Sequence, residues 1–426
     1  MHWQNCKVKG CKKSMNKSFL NTFWNTFSAV PHRLFFFSGA VQLLLPMLFW
    51  ASELSARYGV LGTPLDTIIP ATWAHGFVMM YGIFIFFIYG FLMTVFPRWM
   101  RSTAIAREHY LPSFVWLNAG LLIFEISLFF SRTSALTGLL IFLLGWLHGI
   151  YILYRSLKQS PPGDKYYERI LLSALSLGAV GAACFSWFIY SDDWQFISLA
   201  FNIGIWLFLL PILFTVSHRM LPFFTTNVLD NYQLFQPRAS LWIFISGCSL
   251  HFLLEQKHLT QWLFIIDIPL AALALLHTVR WQIQRSFVNR LLAVLHMAFF
   301  WLFIGFSLYS AQSLVLFISG DYILNRAPLH AITIGFISSM LIAMASRVTL
   351  GHSGRPLILD RLTWLLFLGL QLAAVSRLLA DVQFQQADLN GLFNLLAVSL
   401  WLVCVSIWFA RFAPMYLRKR IDGNPG

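Results

Sequence analysis

Charge is what this sequence has least of. Aspartate, glutamate, lysine and arginine make up 11% of its 426 residues, and hydrophobic residues 58%. A soluble domain carries about 25% charged residues, so a water-soluble globule is excluded. A disordered chain is excluded as well, because it would be poor in large apolar side chains, and here there are 42 Phe and 17 Trp. Cysteine is also scarce: Cys6, Cys11, Cys184, Cys248 and Cys404 are all there is. The last three fall in apolar runs at unrelated spacings, so no disulfide framework is visible. Cys6 and Cys11 sit in a basic tail, where a metal site is a weak reading. The chain has no Walker loop, no dinucleotide fingerprint, no HExxH and no CxxCH attachment site for covalent haem. Residues 1–30 hold no apolar stretch ending in a small-residue cleavage site, so no cleaved signal peptide is expected.

Long apolar runs fill the remainder, and mean hydropathy is +0.69. About twelve runs have the roughly 20 residues needed to cross a hydrocarbon core: 33–50, 72–96, 112–130, 134–155, 169–190, 195–216, 239–255, 260–280, 288–309, 328–347, 361–380 and 390–411. They are continuous rather than alternating, which argues against a transmembrane barrel. The expected fold is therefore all-α, a polytopic membrane protein. A basic tail is expected over 1–32, one transmembrane domain over 33–411 and a second basic tail over 412–426. Pro46, Pro211 and Pro269 fall inside or near the ends of spans, where membrane helices tolerate kinks. No convincing internal repeat is visible.

With twelve spans, the 30 lysines and arginines divide unequally. Only Arg57, Arg132, Lys257, Arg326 and Arg377 fall on one side. Basic residues collect in cytoplasmic loops, so both termini are expected in the cytoplasm. The net charge of +14 is then a matter of topology, and no nucleic-acid partner is implied. The outer loops lean acidic, with Glu53, Asp66, Asp192, Asp193, Glu255, Asp321, Asp381 and Asp388.

Polar groups are costly in a bilayer, which makes intramembrane histidines functional candidates. His75 and His330 share a depth, each shortly inside a helix that follows a proline, Pro70 or Pro328. Two neutral imidazoles from facing helices can hold a haem iron from both sides. The competing reading is a pair of core histidines bonded to carbonyls. Towards the cytoplasm lie His32, His148, His218, His277, His296 and His352. Arg33, Arg219, Arg347 and Arg355 stand on the same side and suit haem propionates, or else are ordinary positive-inside anchors. The stretch from Gly351 to Pro356 can aim backbone N–H groups and a guanidinium at an anion. Met79, Met80, Met340 and Met344 offer thioethers to copper, although methionine more often fills core gaps. Glu125 and Asp267 are the clear intramembrane carboxylates, candidates for relaying protons or orienting a histidine. Trp and Tyr near span ends read as interfacial anchors.

At these residues the sequence resembles the NnrS family of bacterial haem- and copper-containing membrane proteins. Three segments carry the resemblance. One runs from Trp73-Ala74-His75 to Gly90-Phe91-Leu92-Met93-Thr94-Val95-Phe96-Pro97-Arg98-Trp99. The second is His218-Arg219-Met220-Leu221-Pro222-Phe223-Phe224-Thr225. The third runs from His330-Ala331-Ile332-Thr333-Ile334-Gly335 to Arg347-Val348-Thr349-Leu350-Gly351-His352-Ser353-Gly354-Arg355-Pro356. Segments at Pro31-His32-Arg33 and Ala293-Val294-Leu295-His296 add support. The resemblance implies a twelve-helix protein of the bacterial inner membrane that binds haem b, one or two copies, and copper, and helps the cell withstand nitric oxide. It makes His75 and His330 the leading haem ligands. His296, His32, His218 and His352 become candidates for a second haem or a copper site, with His75, His330 and His296 as metal ligands. Two departures stand out. Family members often carry a second His and a Glu just after the first His of span 2, whereas here the run is His75-Gly76-Phe77-Val78-Met79. Ser353 replaces the usual Thr and keeps its hydroxyl.

Two functions of different class follow. One is a redox or gas-binding haem protein, extending to a quinol-linked oxidoreductase acting on a nitrogen oxide. The other is a twelve-span secondary transporter of a metal or metal complex. Transporters place polar groups near the midplane in paired interrupted helices. Here the histidines gather near the two faces, which favours cofactors. A structural or assembly role, with incidental histidines, is the third option.

Overall fold

A computed structural model describes residues 21–382 and 387–423, without the side chains of 387 and 388. Cys6, Cys11 and the tail lysines Lys7, Lys9, Lys12, Lys13 and Lys17 lie outside the described residues, as does the side chain of Asp388. Every apolar run of the sequence becomes a helix, and among the described residues there is no strand. The twelve long helices are α1 (Pro31–Arg57), α2 (Ala71–Trp99), α3 (Arg107–Ser127), α4 (Arg132–Gln159), α5 (Tyr166–Ser191) and α6 (Trp194–Thr226), then α7 (Arg238–Gln256), α8 (Phe264–Arg280), α9 (Arg290–Ser319), α10 (Ala327–His352), α11 (Arg361–Leu379) and α12 (Ala387–Leu417). Ten of these, among the described residues, are long and apolar enough to cross a membrane; α7 and α8 are the two outside that set. α8 has 17 residues, about 26 Å of helix at 1.5 Å per residue, and α7 carries the polar His251 and Glu255 inside its apolar sequence. The protein is thus an all-helical membrane protein.

Short linkers make successive helices run in opposite directions. α1 begins, and α10 and α12 end, at one face, here termed the N-terminal face; α2, α6 and α10 begin at the opposite face. The chain closes on itself, because α12 packs along α1. The Asn394 amide donates to Tyr58 Oη (2.9 Å) at one end of this seam. Tyr416 Oη meets Thr349 Oγ1 (2.8 Å) near the other. α1 is broken at Leu43–Leu44, just before Pro46, which has no N–H to continue the ladder.

α2, α6 and α10 are, with α9, the most enclosed helices: 78% of the apolar window of α2 is buried against 33% for α12. The first three share a further feature. Each widens into a π-helical stretch, Val78–Gly82 in α2, Ile203–Leu209 in α6 and Ala331–Ser338 in α10. The wider turn displaces carbonyls from the usual i→i+4 ladder, and nearby hydroxyls take them up. Ser338 Oγ donates to Thr333 O (2.8 Å) and Ser339 Oγ to Ile334 O (3.2 Å). The wide turns recur at every fourth long helix, and a few residues keep step with them. Arg219 and Arg347 stand equally far beyond the starts of their wide turns, and so do Pro97 and Pro222.

The tryptophans are not all anchors. Trp146, Trp206, Trp281 and Trp408 are fully buried, and each indole N–H has a partner: Leu175 O, Glu255, Phe235 O and Ser346. Elsewhere small residues let backbones touch. A Cβ on Gly138 of α4 would lie 2.6 Å from Phe124 N and 2.7 Å from Gly120 O of α3, and one on Gly145 would lie 2.7 Å from Leu117 N. Backbone atoms cannot swing aside as a flexible side chain does. Gly138→Leu should therefore destabilise the fold by about 1–3 kcal/mol and lower the melting temperature of the purified protein. Gly163→Ala, in open space, should leave it unchanged.

Candidate functional site

His75 and His330 stand at the same face, each shortly before the wide turn of its helix. His330 Nδ1 lies 2.9 Å from Arg326 O. A carbonyl only accepts, so Nδ1 carries the proton and the Nε2 lone pair is left free. Asp381 Oδ2, 3.9 Å from the same nitrogen, is held by Arg377 at 2.7 Å. His75 lies flat against Trp50, centroids 4.3 Å apart and planes 13° apart, and its Nδ1 is buried without a partner. The charge of Arg377 acts on both imidazoles and His75 acts on His330, so the two rings share one electrostatic neighbourhood.

Beside His75 is a cavity of about 360 Å³ whose walls include Leu45, Phe49, His75, Glu125 and Leu128. Gln42 Nε2 donates to Glu125 Oε2 (3.3 Å), while Glu125 Oε1 and Gln42 Oε1 are buried without partners. An apolar pocket with a few convergent polar atoms is the usual form of a small-molecule site.

The remaining sequence candidates lie towards the N-terminal face and separate into groups. His32 and His352 come together from α1 and α10, ring centroids 4.4 Å apart, with His32 Nδ1 buried and unpartnered. The charges of Arg33, Arg98 and Arg420 surround this pair. Arg33 also donates to Thr26 O at 2.9 Å. Ser353 keeps its hydroxyl bond, to Leu350 O (3.1 Å). Arg355 follows Gly354, whose φ of +73° turns the chain away from α10.

His296 and Arg347 form a second group with the end of α6. Thr225 Oγ1 donates to Leu221 O (2.8 Å) and lies 3.1 Å from His296 Nε2. Its one proton is committed to the carbonyl, so His296 Nε2 is the donor and only Nδ1 retains a lone pair. Arg347 is buried with its guanidinium 3.9 Å over Phe224. His296 is at the opposite end of the helices from His75 and His330, so these three do not converge.

His218 and Arg219 are packing groups. Pro237 O (3.1 Å) accepts from His218 Nε2, and Tyr167 Oη donates to Nδ1 (2.8 Å), so neither nitrogen is left for a ligand. Arg219 pairs with buried Glu168 at 3.1 Å and stacks over Trp99 and Tyr167. Met340 and Met344 line an apolar cavity of about 50 Å³ with Phe36, Phe87 and Leu213, where no nitrogen donor joins them. Among the described residues no three or more His, Cys, Asp or Glu side chains are grouped to hold a metal ion.

Two features escape the sequence reading. Arg377, joined by Arg57 beside His75 and Arg326 beside His330, supplies the positive charge there, and not the four arginines of the other face. Its place in the twelve-span topology was visible, but its approach to α2 was not. Glu255, read as an outer-loop acid, belongs to α7, where it joins His251 and Asp267. The i,i+4 spacing of His251 and Glu255 was the available signal.

Twelve long helices, three of them interrupted by wide turns, with imidazoles near both faces, define a polytopic all-helical membrane protein. The chain belongs to the NnrS family: the model of that family, described as NnrS protein, matches residues 26–420. No curated protein matches the chain.

The separation of structural from open histidines is testable. His218→Asn strands Tyr167 Oη and Pro237 O and should cost about 1–3 kcal/mol, read as a lower melting temperature. It should leave any bound-cofactor absorption unchanged.

Proposed function

We propose that this protein holds haem b between His75 and His330 in the bacterial inner membrane and serves defence against nitric oxide. The observation that carries this is the His75–His330 neighbourhood, with His330 fixed by Arg326 O as the tautomer whose Nε2 is free. The orphaned, buried Nδ1 of His75 and the nearby Arg377 suit a group that needs axial nitrogens and counter-charges for two carboxylates. Haem supplies one-electron exchange where both axial positions are filled and gas binding where one is open. The protein's part is positional. Arg326 O sets the tautomer, Trp50 covers one face of the His75 ring, and Arg377, bridged to Asp381, supplies positive charge.

His32 and His352, among Arg33, Arg98 and Arg420, are the place for a second haem. Copper, implied by family likeness, meets two imidazoles there and no third donor among the described residues, so no step is assigned to it. The cavity beside His75 suits a quinol headgroup as electron donor, with apolar walls and a carboxylate, Glu125, in reach. All twelve helices cross the membrane in this reading, with both termini cytoplasmic by the distribution of basic residues. α7 and α8 form a consecutive pair, so the two termini share a side whether or not that pair crosses. Secondary transporters interrupt helices in matching halves; three interrupted helices at every fourth position favour the haem reading over transport.

Absorption spectra of the full-length protein in detergent test this. The expected result is a Soret band with sharp reduced bands, with the low-spin signal lost in His75→Ala and in His330→Ala and kept in His218→Asn. A colourless wild-type protein overturns the reading. Arg377→Leu removes a positive charge that favours the reduced iron, so the midpoint potential should fall. An unchanged potential would place Arg377 outside the site.

A further inference from the structure

α6, α7, α8 and α9 enclose a second set of ionisable groups, apart from the imidazole pairs. His251 and Asp267 are both fully buried. His251 Nδ1 lies 2.8 Å from Asp267 Oδ1, and its Nε2 lies 3.3 Å from Glu255 Oε1, a close approach off the hydrogen-bond direction. Asp267 Oδ2 has no partner. Trp206, in the wide turn of α6, stacks on the His251 ring at 3.5 Å, and its Nε1 donates to Glu255 Oε2 at 3.0 Å. Tyr309 of α9 closes the ring's edge at 5.1 Å.

Two carboxylates face one imidazole, Asp267 fully buried and Glu255 largely so. With the imidazole neutral and both acids ionised, two like charges would flank a buried ring, the one on Asp267 at a desolvation cost of several kcal/mol. At least one proton must therefore reside there, and a second decides whether the group is charged or neutral. A shared metal ion is disfavoured by geometry, because the two carboxylates approach opposite edges of the ring and cannot meet a cation on one nitrogen.

Glu255 is the member that solvent reaches. Its side chain is 20% exposed, and it lines a cavity of about 170 Å³ with Tyr309, Gln312, Tyr322 and Arg326; Tyr322 is on the surface. We propose that Glu255, His251 and Asp267 form a proton-binding site, loaded through Glu255 from the face at which α10 begins. In the transfer, the Glu255 O–H breaks as an N–H forms at His251 Nε2. The His251 Nδ1–H breaks as an O–H forms at Asp267 Oδ1. The ring ends as its other neutral tautomer, with one proton moved inward and no charge created. The other titratable or charged groups facing the site are Cys248 on α7, Tyr309 on α9, Tyr322 in the α9–α10 linker and Arg326 at the start of α10.

The inference does not depend on haem, and its test does not read haem. Infrared difference spectra of the full-length protein in detergent, recorded across a pH titration in H₂O and in D₂O, report buried carboxylic acids directly. The expected result is a carboxylic-acid C=O band that disappears in Asp267→Asn, an isosteric change that keeps a partner for His251. In Glu255→Gln the band should remain and its deuterium shift should appear at least about tenfold more slowly, a barrier rise of about 1.4 kcal/mol. Identical carboxylic-acid bands in wild type and Asp267→Asn at every pH would overturn the site. An unchanged exchange rate in Glu255→Gln would overturn the route. Should Asp267→Asn fail to fold, His251→Gln serves in its place: loss of exchange at the band supports the relay, and wild-type exchange overturns it.

Discussion

A polar atom among apolar helices has no water to turn to, so each must find its partner within the protein or be left exposed to whatever enters. That constraint orders most of this structure. The indoles of Trp146, Trp206, Trp281 and Trp408 are tied to carbonyls or side chains, and Ser338 and Ser339 take up carbonyls displaced by the wide turn of α10. Tyr81 Oη of α2 donates to Ala200 O (2.6 Å), just ahead of the wide turn of α6, and Tyr89 Oη to Trp146 O. Where so many groups are paired, the unpaired ones stand out. His75 Nδ1, His32 Nδ1, Glu125 Oε1 and Asp267 Oδ2 lie beside a cavity, between two imidazoles, or within a carboxylate–imidazole set. Others, such as Trp401 Nε1, Thr215 Oγ1 and Ser217 Oγ, are buried without partners as well, so an orphaned atom points to a site only where a cavity or a second ionisable group stands beside it.

The same rule separates residues that composition treats alike. His218 has both nitrogens engaged and acts as a bolt between α5, α6 and the following loop. His296 has given one nitrogen to Thr225. His330 has given only Nδ1, to a carbonyl of its own first turn, which leaves the other nitrogen with its lone pair outward, as metal-binding imidazoles require. The arginines divide in the same way. Arg219 is consumed by Glu168 and two aromatic faces, whereas Arg347 lies buried with its guanidinium over Phe224. A histidine or arginine in an apolar span is thus a question, and its partners give the answer.

How much of this could be read from the sequence depends on range. The helices were legible because each needs only its own apolar residues, and the shared depth of His75 and His330 followed from the prolines that start their helices from the same face. The meeting of His32 with His352 was legible only as a common side of the membrane. Contacts between distant segments were not legible. Arg377 reaches the His75–His330 region because α11 packs against α10 in the closed ring, and nothing local to residue 377 says so. The wide turns had no visible signature, since a π-helical stretch uses the same apolar residues as the α-helix around it. Their recurrence at every fourth helix was hidden for the same reason, since lipid and core accept any apolar side chain of suitable volume. α7 and α8 are the weaker spans, α8 because it is only 17 residues long and α7 because His251 and Glu255 interrupt its apolar sequence.

The two functional regions at the face where α10 begins are joined through one short piece of chain. Arg326 lines the cavity that gives solvent access to Glu255, and its carbonyl is also what holds His330 in one tautomer. Leu329, next to His330, lines the same cavity. Glu255 and Arg326 line one cavity, and any shift of the turn at Arg326 alters the acceptor on which the His330 Nδ1–H depends. The coupling needs no long pathway, because four residues separate Arg326 from His330 and one hydrogen bond of 2.9 Å closes the gap. The His330 Nδ1–H thus rests on the carbonyl of a residue that also lines the Glu255 cavity. If Glu255 loads protons and His330 holds a ligand, as proposed, both act on this one turn.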